Sequence, residues 1–225
     1  LLLVTDLTRT RLTLPDLATE AVAGGVDAIY LRHLSPGDDW VVTLMQIRDR
    51  VRPEVLLMVP GEPPAGIPRV GRHLRERDPL PLQLRSGEPA LVSRSVHSPL
   101  EGARSIEMSF VVAGHVYPSA SKPGQEPLGL DGLASIVASA STPVVAIGGI
   151  TPERVAAVIT AGAHGVAVIG AICEAHDPRA AAFNLRAAVD AALACHAKGS
   201  AMTSAPHSET TITVTVNGKP RDLPA

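Results

Sequence analysis

The sequence predicts an α/β fold, a (β/α)8 TIM barrel with degenerate helices after strands 3 and 4. Three observations carry this. Aliphatic strand-like runs alternate with helical patterns along most of the chain, which favours a closed barrel of parallel strands. Hydrophobic residues make up 45% of the 225 residues but aromatic ones only 2%, so the core must be built from Val, Leu, Ile and Ala, as in parallel strands buried on both faces. Glycines close the last two strands, where parallel α/β proteins place ligands. No G-x-G-x-x-G follows the first strand, which weakens a dinucleotide-binding sheet.

Taken in order, Leu2 to Thr5 reads as a strand ending at Asp6, and Leu14 to Gly24 as a helix opened by Pro15 and stopped by Gly24-Gly25. Asp27 to Arg32 is strand two, and Ser35-Pro36-Gly37-Asp38 starts the helix Trp40 to Val51. Glu54 to Val59 is strand three. The next segment, Pro60 to Pro68, holds four prolines and two glycines, too many for a helix interior. Arg69 to Leu74 is a weak fourth strand, and the polar, proline-interrupted Arg75 to Pro89 leaves a vestigial helix four. Ala90 to Val96 is strand five, followed by a short helix through Ile106, and Ser109 to Ala113 is strand six. A polar loop from Gly114 to Gly129 leads to helix six, Leu130 to Ala140. Val144 to Ile147, Thr151 to Ile159 and Gly165 to Ile169 then form strand, helix and strand, and Pro178 to Ala194 is the final barrel helix.

Composition changes near residue 197. The barrel is expected to span 1–197, with a polar linker at 198–209 and a hairpin at 210–225, where Asn217-Gly218 sits between β-branched and polar residues. A lone hairpin is marginal in water, so this tail reads as the start of a further domain cut short. The chain opens at Leu1 without a methionine.

A net charge of −2 without a basic stretch argues against nucleic acid as a partner. No apolar run of about 18 residues exists, so no membrane span is expected. The leading LLLV is too short for a signal peptide, and Cys173 and Cys195 lack metal-ligand spacing, so a cytoplasmic protein with free thiols is expected.

Candidate chemistry lies just past the strand ends. His115 follows a buried strand beside Gly114, and imidazole both takes and returns protons near neutral pH; a backbone-bonded loop histidine is the plainer alternative. His33 and His97 share the mouth, yet no H-x-x-H or carboxylate-supported pair points to zinc. Arg32 ends a buried strand, where a guanidinium faces a carboxylate or phosphate of a ligand or of the protein. Ser95 and Lys122 are polar groups at the same level, and Lys122 suits an anion or solvent equally. Gly148, Gly149, Ile169 and Gly170 form a candidate phosphate cup, since backbone N–H groups without a Cβ approach an anion closely; tight strand–helix packing is the alternative.

These residues carry a family resemblance. LVTD at 3–6, RSVHS at 94–98, GHVYPSASKPG at 114–124 and PVVAIGGITPERVAAVITAGAHGVAVIGAI at 143–172 resemble the thiamine phosphate synthase superfamily. Its synthase branch carries Q-x-R-x-K after strand two, an N-D-D or N-D-x segment holding magnesium after strand three, and G-P-V/I-F-x-T-x-T-K after strand six. Here Tyr30-Leu31-Arg32-His33-Leu34 keeps only the Arg, and Met58-Val59-Pro60-Gly61 replaces the acidic segment. Gly114-His115-Val116-Tyr117 and Arg94-Ser95-Val96-His97-Ser98 are similar to the thiazole tautomerase (TenI) branch. That resemblance implies an isomerase that aromatises a thiazole carboxylate phosphate, with His115 moving the proton and no metal or other cofactor. It implies that Gly148, Gly149, Ile169 and Gly170 hold the phosphate and Arg32 the carboxylate, with Lys122 or Ser95 assisting. A homo-oligomer is expected. The alternatives are a thiamine phosphate synthase, or an inactive barrel that binds a phosphorylated ligand as a regulatory module. TITVTVNGKPRDLPA resembles the first hairpin of the sulfur carrier ThiS, which implies contact with the thiazole synthase machinery.

Overall fold

The computed structural model describes residues 1–34, 40–79, 91–203, 211–216 and 219–224. Eight parallel strands close into a barrel in sequence order: β1 (Leu2–Val4), β2 (Ala28–Tyr30), β3 (Leu56–Val59), β4 (Val70–Leu74), β5 (Val92–Val96), β6 (Phe110–Gly114), β7 (Val144–Ile147) and β8 (Gly165–Val168). The barrel closes where Leu3 of β1 pairs with both Ile29 of β2 and Val168 of β8. The (β/α)8 expectation holds.

Strand alternation sorts the side chains. Leu2, Val4, Tyr30, Met58, Val112 and Ala167 form one cluster inside the barrel. Leu3, Ile29, Leu57, Val111, Ala146 and Val166 belong to the second, larger cluster, which joins the strands to the surrounding helices. Those helices are α1 (Leu14–Ala23), α2 (Trp40–Arg50), α3 (Pro99–Ala103), α4 (Gly129–Ser139), α5 (Pro152–Thr160), α6 (Gly170–Cys173) and α7 (Pro178–Thr203). Leu17, Leu44, Ile136, Val158 and Leu185 are their buried anchors.

Local chemistry sets the helix starts. Thr13 caps α1 by accepting from the Asp16 N–H, with Pro15 in the first turn. Ser98 caps α3 in the same way through Glu101, and the Glu101 carboxylate accepts from the His97 N–H at 2.6 Å.

The chain from Pro60 to Arg69 joins β3 to β4 without a helix, as its prolines require. The vestigial helix expected after strand 4 falls partly on residues 80–90, and the helix start at Ser35 to Asp38 on 35–39; both lie outside the described residues. One boundary differs from the sequence reading. Helix α7 runs on to Thr203, through 198–203 of the expected linker. Lys198, Ala201 and Met202 are good helix formers, and the next proline stands only at 206. The chain divides into two compact units, 1–193 and 194–225. In the second, β9 (Thr211–Val216) and β10 (Lys219–Pro224) pair antiparallel with Val216 opposite Lys219. Asn217-Gly218 lies outside the described residues.

Ile136 of α4 is fully buried. Ile136→Ala is expected to lower stability by about 2–5 kcal/mol, read as a lower urea midpoint at unchanged slope.

Candidate active site

A cavity of about 940 Å³ opens at the carboxyl ends of the strands and reaches into the barrel. Its floor is apolar, with Leu2, Val4, Val112 and Ala167. Its rim carries the polar groups. Arg32, Ser95, His97, His115, Lys122, Gly148, Gly149, Ile169 and Gly170 all line it, whereas His33, also placed at the mouth by the sequence, does not line it and lies beside Asp6 and Arg32.

Gly148 and Gly149 hold φ angles of +106° and +63°, in the left-handed region that disfavours side chains. A Cβ on Gly148 would lie 2.3 Å from the His115 Cβ, and one on Gly149 would lie 2.5 Å from the Pro118 carbonyl oxygen. Close packing and a place on the cavity wall are therefore joint properties of this turn. The turn after β7 is clamped to the chain after β6 by two further bonds: Val116 N–H donates to Ile147 O at 2.8 Å and Tyr117 N–H to Gly148 O at 3.0 Å.

His115 is 7% exposed, and its Nε2 lies 3.3 Å from the Gln125 carbonyl oxygen. That weak, long contact leaves the ring available to the cavity it lines. The Gly114–His115 peptide is cis. His97 sits beside it, with Nδ1 bonded to the Gly114 carbonyl.

Arg32 has a partner within the protein. Its Nη2 donates to Asp6 at 2.8 Å, and Nε lies 3.3 Å from His33 Nε2. Burial pushes the Asp6 carboxyl up, but hydrogen bonds from the Thr8 hydroxyl and N–H, together with the charges of Arg32 and His33, hold it below its ordinary value. The sequence left open whether the carboxylate facing Arg32 came from ligand or protein; Asp6 is one such carboxylate. Nη1 of Arg32 makes no hydrogen bond among the described residues.

Several side chains at the site were not found from the sequence, His73, Arg154 and Arg9 among them. His73, on the strand read as weak, points inward beneath the rim, 5% exposed, with Nδ1 2.8 Å from Ser93 Oγ and Nε2 2.9 Å from Ser95 Oγ. Its ring centroid lies 4.3 Å from that of Tyr30. Arg154, at the start of α5, donates to the Gly149 carbonyl at 2.6 Å and lies over the Tyr117 ring. Arg9, from the loop after β1, lies across Gly170. For His73 a signal existed: with Ser93 and Ser95 it occupies inward positions of strands four and five.

The thiamine monophosphate synthase family model matches residues 1–172. This chain belongs to the thiamine monophosphate synthase family. It is 34% identical over 212 residues to a thiamine-phosphate synthase of Mycobacterium bovis, covering 85% of this chain and 95% of that protein. A thiamine-phosphate synthase of Natronomonas pharaonis is 34% identical over 188 residues, with 78% and 87% covered. Among solved structures, a thiamine phosphate pyrophosphorylase from Pyrococcus furiosus superposes with a TM-score of 0.68 at 27% identity, with 85% of this chain and 96% of that one covered. These relatives carry the synthase name, so they support the family and not the narrower tautomerase branch or the isomerase class.

The synthase branch implies magnesium, and the donor set can be tested against it. A hard divalent cation takes about six oxygen ligands, with carboxylates anchoring it. The end of β3 offers Val59-Pro60-Gly61 in place of an acidic segment, the Glu62 that follows pairs with Arg72, and Asp6 and Glu174 are engaged by Arg32 and Arg9. Among the described residues no group of three or more His, Cys, Asp or Glu side chains is placed to hold a metal ion. The described residues do not fit magnesium. No described helix is long and apolar enough to cross a membrane.

Burial pushes the His73 imidazole down to about 4, against a small opposing pull from Asp78. The unfolded chain takes up this proton near pH 6.5 and the folded one only near 4. His73 therefore contributes fully above pH 6.5, and its contribution falls between pH 6.5 and 4 at up to about 1.4 kcal/mol per pH unit. Urea unfolding at pH 7.5 and pH 5 is expected to show a smaller loss on acidification in His73→Asn than in the wild type.

Proposed function

We propose that this barrel aromatises a phosphorylated thiazole carboxylate by acid–base proton transfer, as a thiazole tautomerase within thiamine biosynthesis. The observation that carries this reading is the pairing of His115 with the glycine turn. The histidine lines the cavity with one long hydrogen bond, and its Cβ packs where a Gly148 side chain would stand. A phosphate held on the Gly148-Gly149 and Gly170 backbone thereby leaves its ring beside His115.

The chemistry balances without an external electron acceptor. The starting tautomer has an exocyclic double bond; His115 removes a proton from the carboxylate-bearing ring carbon, the electron pair shifts through the conjugated ring, and a proton is returned to the exocyclic carbon. Aromaticity drives the step. The free Nη1 of Arg32 would hold the carboxylate, and Ser95, held by His73, supplies a hydroxyl at the same wall. Lys122, whose ammonium has no partner among the described residues, would lie near the phosphate.

A second reading is favoured by a specific observation. Relatives at 34% identity are named thiamine-phosphate synthases, and that activity would join a thiazole phosphate to an aminopyrimidine with release of pyrophosphate. Both readings use the same phosphate cup. The poor fit to magnesium inclines the proposal toward proton transfer. The antiparallel pair β9–β10, whose sequence resembles part of a sulfur carrier, accords with a place near thiazole assembly.

Proton NMR of the full chain with the dihydrothiazole carboxylate phosphate in deuterated buffer tests this. Aromatisation with deuterium entering the product is expected, slowed about 100-fold or more in His115→Asn. No acceleration over buffer, together with magnesium-dependent pyrophosphate release, would replace this reading with the synthase.

A further inference from the structure

Arg9 is tied down from two sides. Its Nε donates to the Glu174 carboxylate at the carboxyl end of α6, and its Nη1 donates to Ser121 Oγ at 2.8 Å. The loop after β1, the long loop after β6 and the segment after β8 thus meet at one guanidinium. Its Nη2 makes no hydrogen bond among the described residues. It stands 2.8 Å from where a Cβ on Gly170 would be, and Glu174 Oε2 stands 3.0 Å from the same point. Gly170 therefore lacks a side chain at the one place where Arg9 needs to lie flat over the turn. All four residues line the cavity.

We infer that Arg9 is a further phosphate-binding residue, the side-chain partner of the glycine cup, whose free Nη2 takes an oxygen of the ligand's phosphate while Glu174 and Ser121 fix its plane. The inference rests on the phosphate reading of that cup. Arg9 has the properties the role requires. A guanidinium stays charged at any relevant pH, and its planar fork offers donors in fixed directions. Two of those directions are spent on the protein, which removes rotamer freedom before the ligand arrives. Glu174 opposes an anion by its own charge. Its single bond to Nε spends that charge on the guanidinium, and its side chain remains half exposed, where water screens it. Lys122 follows Ser121 directly, so the same clasp holds the loop bearing another of the site's cations.

The arrangement has a consequence that mere structural support would lack. A phosphate bonded to a guanidinium favours its dianion, so its second ionisation should shift downward on binding.

The experiment uses the full chain with inorganic phosphate as probe. Calorimetric titration gives the affinity, and 31P NMR against pH gives the second ionisation of bound phosphate. Arg9→Gln is expected to weaken binding about 10–100-fold and to move the ionisation of bound phosphate back toward that of free phosphate. Ser121→Ala, which only loosens the clasp, is expected to weaken binding by a few-fold. Circular dichroism checks the fold, and if Arg9→Gln is unfolded, Arg9→Lys is read instead, with about tenfold weaker binding expected because the fork is lost. Wild-type binding with equal affinity and equal ionisation in a folded Arg9 variant overturns the role of Arg9 and leaves the cup standing. No phosphate binding by the wild type overturns both.

Discussion

The site depends on the absence of side chains at one turn. Gly148 and Gly149 end β7 against the backbone of His115 to Pro118, at distances that no Cβ could occupy. Two neighbouring strand ends are thereby fused into one rigid rim, stitched by main-chain bonds from Val116 and Tyr117. The proposed acid–base group and the proposed anion cup cannot move apart, because each is part of the packing surface of the other. Catalytic groups held within a fraction of an ångström are worth several kcal/mol of barrier. Here that order follows from backbone contact and not from a network of side chains.

Three of the guanidinium groups at the rim are arranged by internal pairing. Arg32 is held by Asp6, Arg9 by Glu174 and Arg154 by the Gly149 carbonyl, so each guanidinium is anchored through some of its donors and keeps others free. A site built this way presents fixed positive directions to a ligand. The apolar floor beneath it has low polarizability, which strengthens any charge contact made at its edge.

Much of this was legible in the sequence, for identifiable reasons. The β7–α5–β8 unit could be read closely because aliphatic runs, glycine turns and a Thr-Pro-Glu helix start all pointed the same way. His115 was visible because it directly follows such a run. Arg32 was legible as a paired arginine, while its partner Asp6 lies twenty-six residues earlier and is joined to it only by the β1–β2 pairing. His73 was hidden because β4 is short and mixes Gly, Arg and His, so its period of two is faint. Arg9 sits in a loop with no period at all, and only the closure of the barrel brings it over Gly170. The continuation of α7 past residue 197 escaped because small polar residues were taken to end the helix, although none of them up to Thr203 prevents it. Pattern fixes elements well; it says little about which loop residues meet across a closed barrel.

The scarcity of aromatic residues has an optical consequence. The chain contains two tyrosines, two phenylalanines and one tryptophan. Tyr30 stands on the cavity wall against His73, and Tyr117 packs on Gly149 under Arg154. One of the two phenol chromophores, Tyr30, therefore lines the cavity, and the other packs on the glycine turn that bounds it. Near-ultraviolet absorbance and circular dichroism from tyrosine report on the cavity wall and on the turn beside it, with Trp40 of α2 as the separate spectral marker of the outer helical layer. The protein carries its own label at the place where a ligand would enter.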